Sequence, residues 1–481
     1  MSTKSHLVFI PSPGLGHLVS TVEIAKLLVD RDGRLSITIL IMKLPFDSEV
    51  DSRIESLAAS IAAGIHFVIL PRRNPSPDTS RVAFLTDFIE SHKADVREAV
   101  ADLNMCGSPQ LAGLVVDMFC TTMIEVASEL SVPSYVFFTS SAAALGLLLH
   151  LQSIQDEHHM DLTELEGSDA ELDFPCFRNP LPAAKFLPSD VFINEAGRLL
   201  LSHALRIRET RGILVNTFTE LEPHAVEALA GLGAPPVYPV GPIVNIKVES
   251  RRGTEGNNSP KGFEILEWLD QQPETSVVFL CFGSFGSFDE DQAKEIARAL
   301  EQSRRRFLWS LRQPPTKGKL EAPHDYANPA EVLPEGFLDR TARVGRVIGW
   351  APQVAILSHP AIGGFVSHCG WNSTLESIWF GVPIATWPQY AEQQLNAFEL
   401  VVELGLAAQI KVDYRKDLVK GSNFVTADEI EGGIRKLMES HEAAERRKKV
   451  KEVSEKSRKA LVEGGSSYLS LASFIENVQR Q

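Results

Sequence analysis

Short apolar runs alternate with helix-patterned segments twice along this chain of 481 residues, and a polar stretch with neither pattern separates the two series. That double alternation constrains the fold most strongly, because strands joined through helices pair as a parallel sheet covered on both faces. In the first series His6–Ile10 reads as a buried strand and Val19–Val29 as a helix ending at Asp32-Gly33. Ile37–Ile41, Ile65–Leu70, Leu114–Val116, Ser134–Phe138 and Gly212–Val215 are again strand-like. The second series has strands at Ser276–Phe282, Arg306–Leu311, Val347–Gly349, Gly364–Val366 and Pro383–Thr386, with helices at Asp289–Ser303 and about Ser373–Phe380.

The expected organisation is therefore two α/β halves, residues 1–244 and 261–463, joined by a polar linker at 245–260. Pro314–Pro334 reads as a surface insertion. Ala427–Val462 reads as helical and highly charged, and its Arg446-Arg447-Lys448-Lys449 run as a solvated face. After Gly464-Gly465, residues 464–481 form a last helix with Tyr468, Leu471, Ile475 and Val478 in one apolar stripe.

Composition narrows the function. A formal net charge of −15 disfavours nucleic acid and anionic membranes as partners. Any anionic ligand must then be held by local dipoles, against the net field. Five scattered cysteines, with no C-x-x-C spacing, argue against a disulfide framework or a thiolate zinc site. Leu7-Val8-Phe9-Ile10 before Pro11 is too short for a signal-peptide core, and no apolar run reaches the ~20 residues of a membrane helix. A cytoplasmic monomer without an integral membrane segment is the expectation.

The candidate chemistry lies where strands end. Pro13-Gly14-Leu15-Gly16-His17 follows the first strand and half-matches a dinucleotide fingerprint, but Val19 stands where the third glycine belongs. Gly16 allows close backbone approach, and His17 is a candidate general base unless it merely caps or packs. Asp117 ends another strand, as a helix cap or as the carboxylate that orients an imidazole. The turn Phe282-Gly283-Ser284 can offer backbone N–H groups and a hydroxyl to phosphate. It can also be a plain tight turn, or a nucleophile elbow lacking its first glycine. Gly363 to Ser377 leads a strand through glycines into a helix opening with Asn372, Ser373 and Thr374, which is either an anion site or an ordinary helix start. His368 stands just before it, and Glu376 lies one turn on from Asn372.

From Trp350 to Gln393 the chain reads WAPQVAILSHPAIGGFVSHCGWNSTLESIWFGVPIATWPQYAEQ. This resembles the 44-residue signature box of plant family 1 UDP-sugar glycosyltransferases, and the FIPSPGLGH start and Asp117 fit the same family. The resemblance weakens in Ser153–Asn194 and Pro314–Pro334. It implies two Rossmann-like domains of the GT-B type facing across a cleft, with the last helix returning to the first domain. It makes His17 the base and Asp117 its partner. Trp350 stacks on uracil beside Ala351 and Gln353, and Glu376 takes the ribose. Ser284, His368, Asn372 and Ser373 hold the diphosphate, while Gly16, Thr139, Trp371, Glu392 and Gln393 surround the sugar. Many members carry aspartate at the position of Glu392. Gln393 is associated with glucose, and Trp371, rather than arginine, argues against glucuronic acid.

The resemblance implies inverting, metal-independent transfer of glucose from UDP-glucose to a small apolar acceptor, giving a β-O-glucoside without a cofactor. A phenolic such as a flavonoid is the expected acceptor. Phe119, Phe138, Phe186, Phe192, Phe285 and Tyr390 are candidate pocket residues, each with core packing as its alternative. The Asp-x-Asp patterns at Asp30-Arg31-Asp32 and Asp289-Glu290-Asp291 read better as helix termini than as metal sites. A UDP-sugar epimerase of the same fold and a catalytically silent sugar-nucleotide-binding protein are the rival readings.

Overall fold

The computed structural model describes residues 5–45, 50–59, 61, 63–73, 83–105, 110–245, 260–316, 322–415, 424–439 and 441–480. Its strands up to the polar stretch are β1 (Ser5–Ile10), β2 (Leu35–Ile41), β3 (Ile65–Ile69), β4 (Gln110–Asp117), β5 (Ser134–Phe138), β6 (Glu171–Leu172), β7 (Leu181–Pro182), β8 (Ile213–Val215) and β9 (Val237–Pro239). Beyond it come β10 (Val277–Cys281), β11 (Arg306–Ser310), β12 (Arg312–Gln313), β13 (His324–Asp325), β14 (Gly345–Ile348), β15 (Ile362–Ser367), β16 (Ile384–Thr386) and β17 (Ala407–Gln409).

Two parallel sheets result. The first has seven strands in the order β3-β2-β1-β4-β5-β8-β9, and the second has six in the order β14-β11-β10-β15-β16-β17. Both are doubly wound, and in each the strand order reverses beside its first strand. Open α/β sheets bind ligands at that reversal, outside the carboxyl ends of the strands. The registers place the chemistry there. Ile10 pairs with Val116, which sets the loop carrying His17 beside Asp117. Cys281 pairs with Ser367, which sets the Gly283-Ser284 turn beside His368.

Continuous apolar strands such as β5, SYVFF, and β10, VVFLC, are buried along their whole length, as a parallel sheet requires. The last helix, Ser466–Gln479, packs Leu471, Phe474, Ile475 and Val478 into the core of the first sheet with Leu7, Phe9 and Tyr135. Burying each such side chain contributes about 1.5–3 kcal/mol. Tyr135 Oη donates to Asn477 Oδ1 at 3.2 Å, and Ser467 Oγ to the Gly241 carbonyl at 2.5 Å. The chain's last described helix is thus bound to its first half. No described helix is long and apolar enough to cross a membrane.

One sequence expectation changes, that of a solvated basic run, and the structure adds detail to others. The charged segment Ala427–Val462 is two helices, Ala427–Met438 and His441–Leu461. The basic run explains how they meet. Arg446 donates to the Lys436 carbonyl, and Arg447 to that of Met438, so these two arginines cap the first helix rather than face solvent. Lys448 and Lys449 remain exposed. The Pro314–Pro334 insertion contributes β13 to an antiparallel pair with β12, aligning Asp325 with Arg312. Edge strands β9 and β17, three residues each, are too short to show a pattern in the sequence. The polar stretch expected as a linker lies outside the described residues from 246 to 259, as does Cys106.

Candidate active site

His17 stands in the first turn of the helix Leu15–Arg31, which starts from Gly14 at φ 137°. Its Nδ1–H donates to Asp117 Oδ2 at 2.8 Å, and Thr139 Oγ1 lies 3.2 Å from the same nitrogen. Asp117 is fixed from the other side, because the Phe119 N–H donates to its Oδ1 at 3.1 Å. The carboxylate is almost fully buried, whereas the imidazole keeps 29% of its side-chain surface exposed. Tying Nδ1–H to the carboxylate leaves Nε2 as the nitrogen able to take a proton. Burial opposes a charged ring, but the charge and hydrogen bond of Asp117, helped by Glu392, outweigh it and raise the His17 pKa above 6.5. Phe119 meets His17 edge-on at 5.8 Å and, on its far side, His203 at 6.0 Å.

In the second half the helix Trp371–Phe380 begins at Gly370 without any side-chain cap, so its first N–H groups are not consumed by a capping side chain. Glycine is required just before it for a steric reason. A Cβ on Gly370 would come within 2.5 Å of His368 Nε2, and one on Gly283 within 2.6 Å of the same atom. The imidazole is therefore clamped between the two strand-end turns. Burial lowers its pKa to about 4, and its buried Nδ1 finds no partner among the described residues. Ser284, next to Gly283, is exposed. A helix start, a glycine turn, a hydroxyl and a neutral imidazole with an unused ring nitrogen together suit an oxyanion ligand.

Along the same helix, Gln353 Nε2 donates to Glu376 Oε2 at 2.6 Å and to Ser373 Oγ at 2.9 Å. Trp350 exposes 40% of its surface, unusual for an aromatic residue, and Arg312 lies over its ring at 5.1 Å. Its backbone N–H donates to Asp325 Oδ1 at 2.9 Å, and Arg312 pairs with the same carboxylate. Ala351 is buried beside it. The residues expected for uracil, ribose and diphosphate thus follow the carboxyl ends of β14, β10 and β15 in one sheet.

The two halves meet at this point. Asn372 Nδ2 donates to the Gly16 carbonyl at 3.4 Å, and Ser20 Oγ reaches Asn372 Oδ1 at 3.4 Å. Ser140 Oγ donates to Glu392 Oε1, also at 3.4 Å. Burial pushes the Glu392 carboxyl up, with His17 pulling it back. Two side chains of the box carry internal duties. Trp371 gives its indole N–H to the Asn216 carbonyl at 2.7 Å. Gln393 Oε1 accepts the N–H groups of Gln389 and Tyr390 at 2.9 and 3.2 Å, and its side-chain amide also bonds the Tyr390 hydroxyl.

Of the aromatic candidates, Phe119 alone has a ring contact with His17. Phe138 is core, Phe186 packs on Phe398 at 4.8 Å, and Phe192 lies under Arg415 at 5.1 Å. Phe285 is half exposed, and Tyr390 is half-buried beside Gln393. Sequence reasoning missed Arg415, which donates to Ser189 Oγ at 3.0 Å and to the carbonyls of Leu187 and Ala184 at 2.7 and 3.1 Å. It also missed Arg312 and Asp325, which hold Trp350. Each partnership joins distant segments, and nothing local announces it.

Known proteins are similar to this chain in sequence and in fold. Residues 238–430 match the family described as UDP-glucoronosyl and UDP-glucosyl transferase. UDP-glucose flavonoid 3-O-glucosyltransferase 6 of Fragaria ananassa is 58% identical over 486 residues, covering 100% of both chains. The crystal structure of a UGT transferase from Siraitia grosvenorii in complex with UDP is 52% identical and superimposes with a TM-score of 0.88 over 99% of this chain and 100% of the other. Medicago truncatula UGT71G1, complexed with UDP-glucose, is 42% identical with a TM-score of 0.87 over 99% and 98%.

Proposed function

The chain belongs to the plant family 1 UDP-dependent glycosyltransferases, and from that premise we propose that it transfers glucose from UDP-glucose to a hydroxyl of a flavonoid-type phenol, inverting the anomeric carbon. The observation that carries this reading is the 2.8 Å bond between His17 and Asp117, set one residue from the Gly16 carbonyl that meets Asn372. An oriented base and an uncapped helix start face each other across one cleft.

The reaction is a single displacement. The acceptor oxygen forms its bond to the anomeric carbon as its proton passes to His17 Nε2. The bond from that carbon to the β-phosphate oxygen breaks on the opposite face, and its electron pair leaves on UDP. An α-linked donor so becomes a β-O-glucoside. A phenol of pKa ~10 and an imidazole of ~6.5 are mismatched by roughly 3.5 units, about 5 kcal/mol for complete prior transfer. Asp117 narrows that gap by raising the His17 pKa. Concerted transfer avoids a free phenolate, which is why base and anomeric carbon must be positioned together.

Trp350 stacks on uracil, and Glu376, set by Gln353, takes the ribose hydroxyls. The diphosphate lies against Asn372, Ser373, His368 and Ser284. Charge developing on departing UDP is met there by dipoles that need no reorganisation. Glu392 and Gln393 read the sugar hydroxyls.

The test is UDP release from UDP-glucose with and without a panel of flavonoids, with product mass and anomeric configuration read by NMR. Acceptor-dependent release with a β-O-glucoside supports the reading. Donor consumption without acceptor, or UDP binding without release, contradicts it.

A further inference from the structure

Two carboxyl groups meet where the halves touch, away from the reacting atoms. Glu222 precedes the helix Pro223–Gly231, and Glu399 opens the π-helical turn Glu399–Glu403; each is only 3% exposed. No lysine, arginine or histidine among the described residues forms an ion pair with either. Burial raises the Glu222 carboxyl too, but the hydrogen bonds it accepts pull it back, so Glu222 is the better anion of the two. Its Oε1 and Oε2 accept the N–H groups of Ala143 and Ala142, at 2.8 and 3.0 Å, at the start of the helix Ala142–His158. Glu399 abuts Glu222 and the Ser141 hydroxyl, and its buried Oε2 finds no donor. Two acceptors in contact, both out of water, cannot both be ionised; one needs a proton of its own.

We propose that Glu222 and Glu399 share one proton across the boundary between the halves, and that this carboxylic acid–carboxylate bond positions Thr139 and Ser140 for the transfer reaction. The proton resides on Glu399, whose O–H donates to Glu222. Burial and then the charge of Glu222 push the Glu399 carboxyl well above 4.5. The other titratable groups facing the pair are Glu403, whose charge adds to this push, and Cys176, whose buried thiol donates to the Ala143 carbonyl at 3.4 Å. Ser141 and Ala142 directly follow Thr139, which touches His17, and Ser140, which donates to Glu392. Glu392 opens the helix Gln393–Phe398, which runs directly into Glu399. One helical segment of the second half therefore grips the loop after β5 twice, through Glu392 and through Glu399.

The effect on turnover rests on the reaction proposed above; the shared proton does not. Glu399→Gln keeps a donor for Glu222 and an acceptor for Ser141 at every pH, whereas Glu399→Leu keeps neither. A carboxyl raised in the folded state binds its proton from its unfolded value of 4.5 up to its folded value, so stability falls as pH rises through that window. The Tm of E399Q minus that of the wild type, measured without substrates, should widen as pH rises from 4.5 and level off above the folded pKa. A difference independent of pH overturns the shared proton, whatever the enzyme transfers. In turnover with UDP-glucose and a phenolic acceptor, the kcat ratio of E399Q to wild type should rise with pH, and a flat ratio overturns the positioning role. Glu399→Leu should lower kcat several-fold at unchanged UDP affinity; wild-type kcat in that variant likewise overturns it.

Discussion

The Asn372 amide donates to the main-chain carbonyl of Gly16 at 3.4 Å, so the first turn of the helix Trp371–Phe380 touches the first turn of the helix that carries His17. Its position ties donor binding to base placement. Asn372→Ala should raise the KM for UDP-glucose and also lower kcat. Losing a hydrogen bond to a charged group costs about 1.5–3 kcal/mol, or roughly 10- to 150-fold in kcat/KM. Initial rates over a donor series check this, and an unchanged kcat/KM would remove Asn372 from the site.

Asp117→Asn separates charge from shape. The carboxylate raises the His17 pKa, and the base acts only when neutral, so the wild type loses activity as pH falls through that raised value. The variant's acid limb should move to lower pH. Its kcat should drop on the order of 10²-fold or more, because an amide no longer enforces the Nδ1–H tautomer. A kcat/KM profile against pH measures both effects, and an acid limb that stays in place contradicts the coupling.

The strand-end positions of these residues were legible in the sequence because that signal is local. A strand, a glycine turn and a helix follow one another within a few residues, which places His17, Asp117, Ser284 and the run from His368 to Glu376 at strand ends. The two-sheet fold was legible for the same reason, since apolar runs such as Val277–Cys281 declare buried strands. Contacts made by folding were not. The Asn216 carbonyl that takes the Trp371 indole, the Arg415 strut and the Glu222–Glu399 pair join segments with no shared motif. The break between Met438 and His441 was hidden because the arginines that stabilise it look like any solvated helix face.

Turnover should survive excess EDTA. Asp32 is engaged by Arg34 and Gln479, and Asp289 caps its helix by accepting the Gln292 N–H. In the proposed reaction the diphosphate charge is met instead by the helix start around Asn372 and the turn at Ser284. Activity lost in EDTA and restored by Mg²⁺ or Mn²⁺ would contradict this.

Donor choice should turn on Gln393. A buried polar group left without its partner costs about 1–3 kcal/mol, so glucose should be preferred to galactose by roughly 5- to 150-fold. Gln393→His should narrow that ratio mainly by losing glucose transfer. It should also lower Tm, because the N–H groups of Gln389 and Tyr390 lose their acceptor. The measurement is kcat/KM for both donors with one acceptor, and an unchanged ratio would assign sugar reading to Glu392 or Thr139.

The proposed reaction makes His17 the base of a transfer from UDP-glucose. Its most direct test is the kcat of His17→Ala on a phenolic acceptor, paired with the Kd for UDP in the same protein. A positioned base is worth ~10²-fold or more, so kcat should fall at least that far while UDP binding is unchanged. Turnover close to the wild type, with UDP still bound, would contradict the account and place the base elsewhere.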